Sequence, residues 1–181
     1  MVRTRVGYAG GTKKDPTYHS LGDHSETIQI DFDPTKITYE KLLEIFWSAH
    51  DPAQRSWSRQ YKSAVFYHDE AQERLAIETR DREAAKRKAR IFTEILPFTG
   101  FYVAEGYHQK YYLRQKPDLM KEFTAKYPKE EDLIKSTAAA RVNGYIAGYG
   151  TYESLLTQVG SFGLSPEENK KLRNLVRGLH R

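Results

Sequence analysis

A change of patterning near residue 116 limits the fold before any single motif does. Up to about residue 115, stretches with the two-residue period of a strand alternate with stretches of helical period. Beyond it, every stretch between Gly or Pro breaks has helical period alone. The order through residue 115 reads β, β, α, β, α, β, α, which excludes an all-helical or all-β domain there. The expected fold is therefore α/β (an α+β roll), a mixed sheet with flanking helices over residues 1–116. A helical C-terminal extension is expected over 117–181.

The clearest strand lies early. Ile28, Ile30 and Phe32 alternate with Thr27, Gln29 and Asp31, so one face is apolar. Counting back in phase puts Glu26 on that same face, at its edge. A carboxylate there would be partly desolvated, its pKa raised, and it would suit a general acid. Arg3 to Ala9 reads as an earlier strand ended by Gly10 and Gly11, and Thr12 to Asp23 reads as loop. Asp33-Pro34 turns the chain into a helix with Thr38 as N-cap and Leu42, Leu43, Phe46 and Trp47 as its apolar stripe. Tyr61 to Tyr67 and Ile91 to Leu96 read as strands around a charged helix from Asp69 to about Arg90. Phe101 to Arg114 is expected as loop, then helix. Four further helices are expected over Asp118–Tyr127, Glu131–Tyr145, Thr151–Phe162 and Pro166–Leu179.

Charge and composition remove several function classes. The net charge is +5, and the densest basic cluster is Arg80, Arg82, Lys86, Arg87, Lys88 and Arg90. Glu73, Glu78, Asp81 and Glu83 interleave with it, which fits a solvated helix face with i,i+4 pairs and argues against nucleic acid as a partner. The sequence has no cysteine, so thiol nucleophiles, resolving thiols, disulfides and thiolate metal sites are all excluded within it. No apolar run reaches the length of a membrane span, and the first residues have no signal-peptide character. A cytoplasmic protein without membrane partners is expected.

Two polar groupings remain besides Glu26. His19 and His24 with Asp23 and Glu26 have no ligand spacing that marks a metal site, and loop polarity explains them more simply; no metal is expected. His108, Tyr111 and Tyr112, with Tyr107 and Glu105 nearby, fall on one face at helical spacing. They read either as a polar ligand site or as a buried aromatic stripe. No dinucleotide fingerprint, phosphate loop or serine-nucleophile motif is present.

Several spaced segments together resemble the methionine-sulfoxide-reductase A (MsrA) family. They are Arg5-Val-Gly-Tyr-Ala-Gly-Gly-Thr12, Asp15-Pro-Thr-Tyr18, Gly22-Asp-His-Ser-Glu26 and Asp31-Phe-Asp-Pro34, then Phe46-Trp-Ser-Ala-His-Asp-Pro52 and Gln60-Tyr-Lys-Ser-Ala64. Phe66-Tyr-His-Asp69, Phe101-Tyr-Val-Ala-Glu-Gly-Tyr-His-Gln109 and Tyr111 complete the set, over residues 3 to 116. The stretch Ser136-Thr-Ala-Ala-Ala-Arg-Val-Asn-Gly144 resembles the extended C-terminus of some members.

The resemblance implies reduction of methionine S-sulfoxide in proteins, with thioredoxin as reductant and no bound cofactor. It implies that Glu26 protonates the sulfoxide oxygen, that Tyr18 and Tyr61 hydrogen-bond it, and that His108 and Tyr111 wall the pocket. The family's nucleophilic cysteine belongs to a Gly-Cys-Phe-Trp motif upstream of the Arg5 segment, and these 181 residues do not contain it. The family's aspartate at the position of Ser56 is also replaced. The expectation is an N-terminally truncated member, inactive as it stands. The alternative is a pseudoenzyme module that binds peptides carrying methionine or its sulfoxide.

Overall fold

The computed structural model describes residues 2–58 and 60–179. It divides into two compact units, one of residues 6–104 and one of residues 2–5 with the chain from Glu105 onward. The mixed α/β fold with flanking helices and a helical C-terminal part is the one expected.

The first unit holds two small sheets. β1 (Arg3–Ala9) lies between β2 (Ser25–Asp31) and β5 (Phe101–Val103). β1 and β5 run antiparallel, with Gly7 opposite Val103 and Ala9 opposite Phe101. Gly7 is required there, because a Cβ would come within 2.1 Å of the Tyr102 carbonyl oxygen. β3 (Ala64–Tyr67) pairs in parallel with β4 (Glu94–Pro97). Parallel neighbours need a long crossover, and α2 (Glu70–Arg87) supplies it. Asp69 caps α2 by accepting from the Gln72 N–H at 2.8 Å, and Thr38 caps α1 (Tyr39–Ser48) as its sequence position suggested, accepting from Lys41 N–H at 3.1 Å.

Two modest apolar clusters stabilise this unit. Leu43, Trp47, Val65 and Ala76 join α1, α2 and β3, while Tyr8, Leu21 and Ala104 gather around β1. The face of β2 departs from expectation. Ile28 is 56% exposed and Ile30 half-buried. β2 and β3 are both terminal strands of their sheets, and an apolar groove of about 310 Å³ is lined by Ile28, Ile30, Phe32, Phe46, Phe66 and Phe98 among others. The period of two does belong to a strand, but nothing local determines whether a neighbour covers that face.

The second unit is helical. It contains α3 (Tyr111–Arg114), α4 (Pro117–Lys126), α5 (Glu130–Lys135), α6 (Thr137–Ile146), α7 (Tyr152–Gln158) and α8 (Pro166–Leu179). One continuous cluster, with Leu113, Phe123, Leu133, Val142, Leu155, Phe162 and Leu172 buried in it, binds these helices. The single helix expected over 131–145 is two, because Ser136 takes an extended ψ of 123° and caps α6 by accepting from Ala139 N–H at 3.1 Å. Phe101 to Val103, expected as loop, is strand β5 because its partner β1 is remote in sequence.

No helix of the described residues is long and apolar enough to cross a membrane. The basic cluster of α2 is laced with acids as expected: Arg82 pairs with Glu40, and Lys86 and Arg87 pair with Glu83, Arg87 at 3.0 Å.

Candidate functional site

Three separate segments of the first unit bring Tyr18, Glu26 and Tyr61 together. Tyr18 comes from the loop after β1, Glu26 from the start of β2, and Tyr61 from the approach to β3. The two phenols share a hydrogen bond, which together with the Tyr18 charge, desolvation and the negative charge of Glu26 raises the Tyr61 pKa. A phenol is protonated at neutral pH in any case, so the Tyr61 hydroxyl can donate there. Glu26 is tied to the same loop twice. Its N–H donates to the Gln60 carbonyl at 3.1 Å, and its Oε1 accepts from Gln60 Nε2 at 2.6 Å.

The apolar enclosure expected around Glu26 is absent: the side chain is exposed. Its place at the end of an uncovered face explains the difference, because β2 presents that face to the open groove. What fixes the carboxylate is the Gln60 amide. Tyr61 is likewise 45% exposed, and its ring meets Trp57 with centroids 5.2 Å apart.

The loop that carries Tyr18 is held by Asp23 and His24, two of the four residues of the His19, Asp23, His24 and Glu26 grouping. Asp23 accepts from the N–H of Thr12 at 2.8 Å, from the Thr12 hydroxyl at 2.9 Å and from Lys13 N–H at 3.2 Å. These bonds hold its carboxyl well below the usual range. His24 is buried and accepts from Gly11 N–H at Nδ1, 3.2 Å, while its Nε2 donates to the Lys13 carbonyl at 2.8 Å. Both ring nitrogens are thus engaged by backbone. No group of three or more metal-ligating side chains occurs among the described residues.

Ser56 closes its own turn. Its hydroxyl donates to the Ser58 carbonyl at 2.8 Å and accepts from Ser58 N–H at 3.3 Å. Below this loop His50 Nδ1 donates to the Phe46 carbonyl at 2.9 Å, and Nε2 accepts from Ser63 Oγ at 2.8 Å. Ser63 continues to Thr93 at 2.9 Å. Sequence reasoning missed this relay, whose members are 13 and 30 positions apart and carry no local pattern.

His108 and Tyr111 belong to the second unit and do not share a helix. His108 ends a 3-10 turn, Gly106–His108, and Lys110 then takes a left-handed backbone (φ 52°) before α3 begins. The helical spacing that aligned His108 with Tyr111 and Tyr112 is therefore broken. His108 lies against Tyr107, centroids 4.2 Å apart, and Tyr111 meets Tyr112 edge-on at 5.6 Å. Tyr107, Tyr111 and Tyr112 are exposed rather than a buried stripe. Lys110 itself is buried, donating from Nζ to the Thr4 carbonyl at 2.7 Å and the Thr4 hydroxyl at 3.0 Å. Burial, then the Arg5 charge, pushes its pKa down to about 8.

Comparison with known proteins gives a consistent result. The family model described as peptide methionine sulfoxide reductase matches residues 1–142, and that described as the helical domain of selenoprotein methionine sulfoxide reductase A matches residues 129–177. Peptide methionine sulfoxide reductase A5 of Oryza sativa is 43% identical over 81% of this chain and 59% of the rice protein. Peptide methionine sulfoxide reductase of Drosophila melanogaster is 40% identical over 94% of this chain and 69% of the fly protein. The chain thus spans about three-fifths of the rice relative's length. Among solved structures, reduced Mxr1 of Saccharomyces cerevisiae has a TM-score of 0.58 and 29% identity, covering 63% of this chain and 71% of the yeast chain. With one model covering most of its residues, this chain belongs to the peptide methionine sulfoxide reductase family.

Proposed function

We propose that the chain recognises methionine S-sulfoxide in peptides and proteins, through the substrate-side half of a reductase site. The observation that carries this reading is the Tyr18–Tyr61–Glu26 cluster. A sulfoxide oxygen is a strong acceptor with no proton of its own. Two phenol hydroxyls give it donors, and Glu26 in its protonated form gives the acid a reduction needs. Gln60 orients that carboxyl, and the exposed Trp57 beside Tyr61 offers an apolar surface to the methyl and methylene groups. His108 and Tyr111 are assigned to substrate contact by the family resemblance alone.

Reduction itself needs a nucleophile for the sulfoxide sulfur. In the family a thiolate attacks sulfur and leaves with the oxygen as a sulfenic acid, which thioredoxin then reduces. These 181 residues contain no thiol, and neither the phenols nor Glu26 replaces it. The chain as it stands therefore binds without turnover and has no productive exchange with thioredoxin. The reading also places it in the cytoplasm, in repair of oxidised proteins.

Calorimetry with matched peptides, one carrying methionine S-sulfoxide and one methionine, tests this alongside a turnover assay with thioredoxin or dithiothreitol. The expected result is preferential binding of the sulfoxide, weakened at least tenfold in Tyr61→Phe combined with Glu26→Gln, with no reduction. Equal binding of both peptides overturns the recognition claim. Reduction by the cysteine-free chain overturns the claim of silence.

A further inference from the structure

Next to Tyr61, the first unit has a second and more polar cavity, about 590 Å³, lined by Arg55, Trp57, Lys62, Arg90, Phe92 and Glu94 among others. Its charges do not balance. Among the described residues Glu94 is the only acid in the lining, and Lys62 already holds it, Nζ to Oε2 at 3.0 Å. Arg55 and Arg90 pair with no carboxylate among the described residues; instead each guanidinium lies over the Phe92 ring, 5.2 Å from its centroid. Two like charges over one ring repel, and an exposed cation–π contact returns only about 0.5–1 kcal/mol. Arg90 thereby differs from Arg82 and Arg87 of the neighbouring helix, whose acids are in place.

The arrangement is complementary to an anion. A guanidinium presents a planar fork that matches a carboxylate, and it stacks on aromatic rings without losing its outward N–H groups. Ser63 and Thr93, which belong to the lining, are joined to each other and to His50 by the His50–Ser63–Thr93 relay. Trp57, 85% exposed, stands on one side of it and meets Tyr61 on the other. A peptide whose oxidised residue sits at Tyr61 would thus lay its flanking side chains over Trp57 toward the two arginines.

The geometry points to Arg55 and Arg90 as a specificity pocket for acidic side chains, so that the preferred ligand is methionine sulfoxide flanked by Asp or Glu. The inference rests on the reading of the Tyr18–Tyr61–Glu26 cluster as the sulfoxide site.

The test uses the full chain and four short peptides of one backbone sequence. Three carry methionine S-sulfoxide with Glu, Gln or Lys flanks; the fourth carries unoxidised methionine with Glu flanks. Affinities are measured for the parent and for Arg55→Gln combined with Arg90→Gln, at low and high salt. Both arginines are exposed, so the double variant is expected to keep its circular dichroism and melting temperature. The Glu peptide should bind about tenfold tighter than the Gln peptide and more tightly still than the Lys peptide. That preference should vanish in the double variant, persist in Arg55→Lys with Arg90→Lys, and shrink with salt as screening requires. An unchanged Glu-to-Gln ratio in the Gln double variant overturns the pocket, as does tighter binding of inorganic phosphate than of the Glu peptide. Sulfoxide preference without flank preference overturns this inference alone. Flank preference without sulfoxide preference overturns the underlying site and leaves the anion pocket standing.

Discussion

The two units of this chain solve the problem of burial differently. The helical unit gathers its buried apolar side chains into one cluster that runs from Leu113 to Val176. The strand-bearing unit splits its own between a group around Trp47 and one around Tyr8, and leaves an apolar groove open beside β2 and β3. Helices satisfy their backbone internally and need only side-chain partners, whereas a terminal strand presents unpaired N–H and C=O groups as well. The unit with open edges is also the one that holds Tyr18, Tyr61, Glu26 and the Arg55–Arg90 pair. Closed packing serves as scaffold, and incomplete packing leaves groups available to a ligand.

The largest test of this contrast is truncation within the closed cluster. Phe123 is 1% exposed, so Phe123→Ala should cost about 3–5 kcal/mol in denaturant unfolding of the helical unit. The same unit should respond to alkaline pH in an unusual direction. Lys110 has its pKa lowered from 10.5 to about 8, so the unfolded chain holds that proton more tightly than the folded one. Stability should therefore rise as pH increases from about 8 to about 10.5, by on the order of 3 kcal/mol. Lys110→Met should abolish this slope and be the more stable form at pH 7. A flat parent profile would show that the lysine is hydrated in solution.

How far such contrasts were legible in the sequence depended on the range of the contact. α8 and the caps Thr38 and Asp69 follow from neighbours within three or four positions, and the first of these was read correctly from Pro166 to Leu179. Ser136 reads as one more polar residue in a helical run, although a serine ahead of Thr137 and three alanines is also a good N-cap. β5 was missed because three residues carry no period and its partner lies at the other end of the unit. At the candidate site, Tyr18 and Tyr61 follow from resemblance alone, whereas Glu26 also follows from the phase of its strand. The phase argument placed Glu26 beside the apolar residues of β2, but it assumed a cover over that face and so expected burial where the side chain is exposed. Arg55 carries no local signal and Arg90 reads locally only as one member of a basic cluster, since what joins the two is the ring of Phe92.

Smaller effects sharpen the comparison further. Removing the cap in Asp69→Ala should cost the strand-bearing unit about 1 kcal/mol, read from its melting transition. Ile28→Thr should change stability by no more than about 0.5 kcal/mol, because the side chain is largely exposed already. A cost for Ile28→Thr approaching that of Phe123→Ala would mean that the groove is a packed core in solution and would break the contrast.

The most direct measurement follows backbone and tyrosine resonances while a methionine S-sulfoxide peptide is added to the labelled chain. Shifts should concentrate at Tyr18, Glu26, Gln60 and Tyr61, and should leave helices α4 to α8 unmoved. Shifts centred on the helical unit, or equal shifts with the unoxidised peptide, would contradict the assignment of sulfoxide recognition to the open, strand-bearing unit.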